Sequence, residues 1–407
     1  MSVTSPRIFC AATAVIALHI VDAELLQPRA GTSPRDHLVA SVVPLAVAAL
    51  GATLYGRLRP GLRAGAALSF GTLALVAAGI AAGGGISGSD VSGLLLFPAG
   101  AALVGLGVSV PWRERGRRAT TRRRRWINRG VAVLAGAAVG FFVVLPTALA
   151  LWTTGKFRSP IGTFAVRHED VSFTTSDGLR LSGWYVPSRN GAAILIVHGG
   201  GGDRDGARLH AAMLARAGFG VLLYDARGRG RSQGDPDAYG WTWGPDVDAA
   251  ATWLEHRPNV RRVGALGLST GADVLIGEAS KRRDIRAIVA DGATTESLTD
   301  VRRTSHGSDL SAIPFFAVQY AAAEVLEGHR QMRPLEQLAA LVPPTPILFI
   351  ASTWKIERAA APIYAHAAAA SSSLWLVAAG HTQGLRAHPV EYRRRVVAFF
   401  DRTLLGG

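Results

Sequence analysis

A chain of 407 residues with 44 Lys+Arg against 29 Asp+Glu carries a net charge of +15, and its single cysteine excludes an intrachain disulfide. The length exceeds one typical domain, and the charge is unevenly spread: residues 1–155 hold 15 Lys+Arg and 5 Asp+Glu, a net of +10. No zinc-type Cys/His spacing occurs, and the chemistry expected of this chain needs neither a metal nor an organic cofactor.

The first 155 residues read as a membrane domain. Four apolar runs, 38–56, 66–84, 91–110 and 131–152, lack any internal charge and approach the ~20 residues a spanning helix needs. A shorter run at 8–24, containing His19, makes a fifth span or an uncleaved signal-like segment. Pro44, Pro98 and Pro146 fall inside these runs, where membrane helices tolerate them. Basic residues in short loops orient the spans: Arg57, Arg59 and Arg63 after the second, and the nine arginines from Arg113 to Arg129 after the fourth, mark cytoplasmic loops. The loop GGGISGSD after the third span has no basic residue, as an outer loop should, whereas Arg29 and Arg35 count against this topology. The expectation is therefore a multi-pass cell-membrane protein with everything after Trp152 outside the cytoplasm. The arginine run has no aromatic platform or recognition helix beside it, so anionic lipid headgroups, and not nucleic acid, are its expected partners.

From Lys156 onward short strands alternate with amphipathic helices, the pattern of an α/β domain. Val171 to Thr175 and Leu179 to Val186 form an expected hairpin around Asp177-Gly178, with Trp184 and Tyr185 on it. Ala193 to Val197 is an apolar strand running into His198-Gly199-Gly200-Gly201-Gly202, whose unobstructed backbone N–H groups suit an oxyanion hole. Leu209 to Ala217 reads as a helix, and the strand Gly220 to Tyr224 ends in DARGRGRS, 225–232. After a helix from Trp243 to His256, the strand opening at Val263 runs into Gly267-Leu268-Ser269-Thr270-Gly271 and then a helix. This is a nucleophile elbow: a strained strand-to-helix corner needs small residues two positions either side of the serine, and the following helix N-terminus favours an oxyanion.

Together VHGG, DARGRGRS and GLSTG resemble the α/β-hydrolase superfamily, in its branch of serine aminopeptidases, bacterial esterases and membrane-anchored depalmitoylases; the likeness runs from about Phe164 to Leu405. It implies a mostly parallel central sheet with helices on both faces over 156–407, and a structural turn at Asp225 and Arg227. It also implies a small cap at about 292–345, on which Phe315, Phe316 and Tyr320 either line the site or pack internally. The histidine of Gly380-His381-Thr382, after a strand at Leu374 to Val377, takes the place of the general base. The acid should follow the preceding strand, Pro346 to Ile350, but ASTWKIE stands there with Lys355 near the usual aspartate; Glu357 is the nearest carboxylate, and Asp291 is the alternative.

The expected chemistry is attack by Ser269 on a carbonyl, His381 as base and Glu357 as its orienter, with the N–H groups of Thr270 and of Gly200 or its neighbour as the oxyanion hole. Esters, thioesters and small peptides all pass through this chemistry, and a basic domain beside a bilayer favours a small-molecule or lipid-like acyl substrate. The competing reading is a catalytically inactive hydrolase domain acting as a binding or scaffold module.

Overall fold

The computed structural model describes residues 4–26, 38–83, 91–113, 123, 136, 138–154, 160–237, 239–342, 344–368 and 371–406. The chain divides into two compact units: Met1–Trp152 with Pro314–Leu326, and Thr153–Ile313 with Glu327–Gly407.

The first unit is helical. Its longer helices are Thr4–Val21, Leu38–Leu54, Pro60–Gly83 and Leu96–Arg113, with a shorter stretch at Leu145–Thr153. Helices Pro60–Gly83 and Leu96–Arg113 cross at backbone contact, because a methyl on Gly71 would stand 2.9 Å from the Gly100 carbonyl oxygen, and one on Gly100 equally close to that of Gly71. Small residues permit such an approach. Phe9 stacks on Tyr55 with ring centroids 3.9 Å apart. The Arg63 side chain, expected in a loop, turns back to donate to the carbonyls of Tyr55 and Gly56. Among the described residues one helix, Ser92–Val110, is long and apolar enough to cross a membrane, while Ser5–Val21, Pro44–Tyr55 and Gly140–Ala150 are apolar but shorter. Residues 131–135 and 137 of the last expected span, the outer loop 84–90, Arg29, Arg35 and the arginines of 114–129 other than Arg123 lie outside the described residues.

The second unit is built on one eight-stranded sheet of order β1-β2-β4-β3-β5-β6-β7-β8. The strands are β1 (Glu169–Thr174), β2 (Arg180–Val186), β3 (Ala192–Val197), β4 (Gly220–Tyr224), β5 (Arg262–Leu268), β6 (Ile285–Asp291), β7 (Ile347–Ala351) and β8 (Ser372–Leu376). The β1–β2 and β2–β4 pairs are antiparallel, and the pairs from β4 through β8 are parallel. Parallel pairing needs a covered sheet, and every residue of β3 is buried. The strand period of two then separates two cores: Ala193, Leu195 and Val197 pack with Trp243, Val247 and Leu275 on one face. Ala192, Ile194 and Ile196 pack with Leu214, Val396 and Phe400 on the other. Each such buried Leu, Ile or Val contributes about 1.5–3 kcal/mol.

This register places the site. Val197 stands opposite Gly267, Leu268 opposite Asp291, and Asp291 opposite Ile350. The carboxyl ends of β3, β5, β6 and β7 therefore meet along one edge, where α/β sheets bind ligands.

The expected cap is divided. Residues Pro314–Leu326, most of the helix Ile313–Glu327, group with the N-terminal unit, while 292–313 and 327–345 stay with the sheet. Within the first unit the Phe315 ring meets Phe141 and Phe316, and Phe316 meets Tyr320. The helix is apolar on more than one side, and local sequence does not choose the surface that takes it.

Candidate active site

Ser269 stands between the end of β5 and the helix Thr270–Ala279, with φ 53° and ψ −126°. A non-glycine residue rarely holds this backbone, which costs on the order of 1–3 kcal/mol and persists only when its surroundings over-determine it. The surroundings here do so. The Ser269 N–H donates to the Asp291 carbonyl at 2.8 Å, and the next turn begins with Ala272 N–H on the Ser269 carbonyl at 2.7 Å. A methyl on Gly271 would collide with the Val197 and His198 carbonyl oxygens, and one on Gly267 with the Gly271 carbonyl. Both glycines of the elbow are thus required by close backbone approach.

His381 sits in the loop after β8, drawn to the β7 end by Thr353, whose N–H and hydroxyl both donate to the Ala379 carbonyl. Its Nδ1 lies 2.7 Å from Glu357 Oε1 and its Nε2 lies 2.9 Å from Ser269 Oγ. Glu357, in the first turn of the helix Lys355–Ala368, is fully buried and also accepts from the Ser352 N–H and hydroxyl, each at 2.7 Å. Burial raises the Glu357 pKa, but the hydrogen bonds from His381 and Ser352 outweigh it, and the carboxyl stays below its ordinary value. An ionised carboxylate only accepts, so Nδ1 carries the imidazole proton and the Nε2 lone pair faces the serine hydroxyl. That is the arrangement of a base.

Asp291, the alternative acid, lies elsewhere. Its Oδ2 accepts from the Tyr392 hydroxyl at 2.6 Å and stands 4.0 Å from His210 Nε2. Burial pushes its pKa up to about 7, with the Glu357 charge adding to the rise. Burial likewise pushes His210 down to about 4. Asp291 therefore reaches Ser269 through its main chain, while the imidazole of His381 is held by Glu357.

The glycine loop is anchored by His198. Its Nε2 accepts from the Ala226 N–H at 3.0 Å, which puts the proton on Nδ1, where it donates to the Gly199 carbonyl at 2.8 Å. Complete burial lowers the His198 pKa to about 4, so the ring is neutral and serves as a strut. Gly199 passes beside the serine: a methyl there would stand 3.4 Å from Ser269 Cβ. Gly200 follows Gly199 in the turn closed by the Gly202 N–H on the Gly199 carbonyl at 3.1 Å, and Thr270 opens the helix directly after Ser269.

Asp225 and Arg227 form the expected structural turn. The Asp225 carboxylate accepts from the backbone and guanidinium of Arg204 and from the Arg231 N–H. Arg227 binds Asp246 at 2.7 Å and Asp177 at 2.9 Å. Lys355, near the usual place of the aspartate, is exposed and pairs with Asp309 at 2.7 Å. Two contacts escaped sequence reasoning, those of Ser352 to Glu357 and of Trp354 to His381, with ring centroids 4.8 Å apart. The only signal for either was its position just after β7. Among the described residues, no three His, Cys, Asp or Glu side chains are grouped to hold a metal.

Comparison with known proteins agrees with this architecture. A family model described as X-Pro dipeptidyl-peptidase (S15 family) matches residues 162–340. The chain is similar in structure to the esterase Pf2001 of Pyrococcus furiosus, with TM-score 0.50 and 22% identity over 61% of this chain and 99% of the esterase. The fold is that of the α/β-hydrolases. Curated relatives of this chain include an uncharacterized protein of Mycobacterium tuberculosis, 39% identical over 118 residues, which are 28% of this chain and 41% of the relative. The uncharacterized protein YfhR of Escherichia coli K12 is 33% identical over 151 residues, 34% of this chain and 52% of the relative. A thiohydrolase of Aspergillus aculeatus is 31% identical over 133 residues, 30% of this chain and 41% of the relative. The matched stretches thus span about half or less of these relatives' own lengths.

Proposed function

We propose that the protein is a membrane-anchored serine hydrolase that cleaves an ester, thioester or similar small acyl substrate through an acyl-enzyme. The observation that carries this reading is the unbroken chain from buried Glu357 through His381 to Ser269 on a strained elbow. Ser269 Oγ attacks the carbonyl carbon as His381 Nε2 takes its proton, and the same nitrogen then protonates the leaving group. Glu357 holds the imidazole tautomer and favours its cation. The N–H groups of Thr270 and Gly200 receive the oxyanion, each donor being worth about 3–4 kcal/mol. Water activated by His381 then releases the acid. A thiohydrolase among the relatives favours acyl chemistry, whereas the S15 family match favours a second reading, a serine peptidase.

A fluorophosphonate probe should label the purified protein, and Ser269→Ala should remove the label. An unlabelled wild-type protein would instead favour the inactive scaffold reading.

The membrane reading rests on the apolar runs of the sequence, the close-packed helices and the exposed apolar side chains Leu18, Val42, Leu50, Val108 and Phe141. Arginine-rich loops on the cytoplasmic side and a hydrolase domain outside follow from the charge pattern. Protease added to intact spheroplasts should therefore digest the domain. Digestion only after lysis would overturn this topology, beginning with the span at 8–24.

A further inference from the structure

Resting on the serine hydrolase reading, we propose that Trp354 forms a leaving-group subsite that favours substrates with an aromatic or flat apolar leaving group. The ring belongs to the second unit and stands beside His381, its centroid 4.8 Å from that of the imidazole and the two planes at 61°. It is nevertheless 45% exposed, so a large apolar surface stands open to solvent beside the base. Its backbone is fixed at both ends: the Trp354 N–H donates to Ser352 Oγ at 3.1 Å, and its carbonyl accepts from the Arg358 N–H at 3.0 Å. Ser352 Oγ is itself the donor to Glu357. The indole is thus placed by the same short segment that places the acid.

Chemistry says which part of a substrate meets this ring. In acylation a bond forms from Ser269 Oγ to the carbonyl carbon, and the bond from that carbon to the leaving oxygen or sulfur breaks. The proton that His381 Nε2 takes from the serine passes to the leaving atom, which departs as alcohol, phenol or thiol. One nitrogen must reach both atoms, so the leaving group comes away on the His381 side, where Trp354 stands. Aromatic groups meet such a ring edge-on or offset, and burial of its exposed face adds to the attraction.

The test compares ethyl butyrate with 2-naphthyl butyrate, measuring acid release by titration with the full-length protein. The quantity read is the ratio of kcat/KM for the naphthyl over the ethyl ester, because kcat/KM reports events up to departure of the leaving group. Trp354→Ala should lower this ratio about tenfold relative to wild type, the order expected from losing one apolar contact in a site. Trp354→Gln, which keeps side-chain bulk but no ring, should lower it similarly. Trp354→Phe should stay within about twofold of wild type, since a ring remains. Equal losses on both esters in folded Trp354→Ala and Trp354→Gln proteins would overturn the subsite and leave the indole as a support for His381. A wild-type protein that hydrolyses neither ester and takes no fluorophosphonate label would overturn the hydrolase reading, and this inference with it.

Discussion

Ser269→Ala and His381→Ala are each expected to lower turnover of a short-chain p-nitrophenyl ester by on the order of 10⁴–10⁶-fold, and the double variant by hardly more. The reason is the shared proton: Ser269 Oγ and His381 Nε2 are 2.9 Å apart, and neither group forms the acyl-enzyme at a useful rate without the other. Ser269→Ala removes the nucleophile. His381→Ala leaves a hydroxyl with an ordinary high pKa and nothing to protonate the leaving group. Any residual rate comes from binding and the oxyanion donors alone. Steady-state kinetics on the three proteins checks this, and two large losses that multiply in the double variant would contradict a unit acting together.

Glu357→Gln should cost about 10³–10⁴-fold in kcat, whereas Asp291→Asn should cost less than about tenfold. Glu357 is the carboxyl whose pKa is held below its ordinary value by His381 and Ser352, so at neutral pH it brings a full negative charge to the imidazole. The amide of a glutamine fills the same space but can present an N–H to Nδ1, which selects the wrong tautomer. Asp291 differs in kind. With its pKa pushed to about 7 by burial, it is already close to half-protonated at neutral pH, and an asparagine there still accepts from Tyr392. The reverse ranking, with both variants folded by circular dichroism, would move the acid to Asp291. Near-normal rates in both would leave a serine–histidine pair working without a carboxylate.

The elbow and the glycine loop were legible because their requirements are local. Gly267 and Gly271 are demanded by backbone atoms a few residues away and on the adjacent strand, so any serine in such a corner needs them whatever the rest of the fold does. The histidine after β8 and the turn at Asp225 and Arg227 were legible through family resemblance, since strand order carries their places. Ser352 and Trp354 were not, because they carry no pattern of their own. Their contacts arise where β7 and β8 lie side by side, with Ala351 opposite Leu376, so that two loops far apart in the chain share one space.

The sequence by itself determined which segments become strands, because the apolar runs of β3 to β7 are five to seven residues long, the length of a buried strand and too short for a buried helix. It also determined where the strained corner at Ser269 sits, because such a corner tolerates few residue types on either side. Only the tertiary structure shows which of the two carboxylates stands against His381, Glu357 and not Asp291. Both follow or end neighbouring parallel strands at the same edge of the sheet, and composition does not distinguish them. The first helical turn after Ser352 turns the Glu357 carboxylate toward His381, while Tyr392, on a helix against the opposite core, holds the Asp291 carboxyl. It also decided which unit takes the helix Ile313–Glu327, because a helix apolar on several sides is assigned by the surface available to it and not by its own pattern.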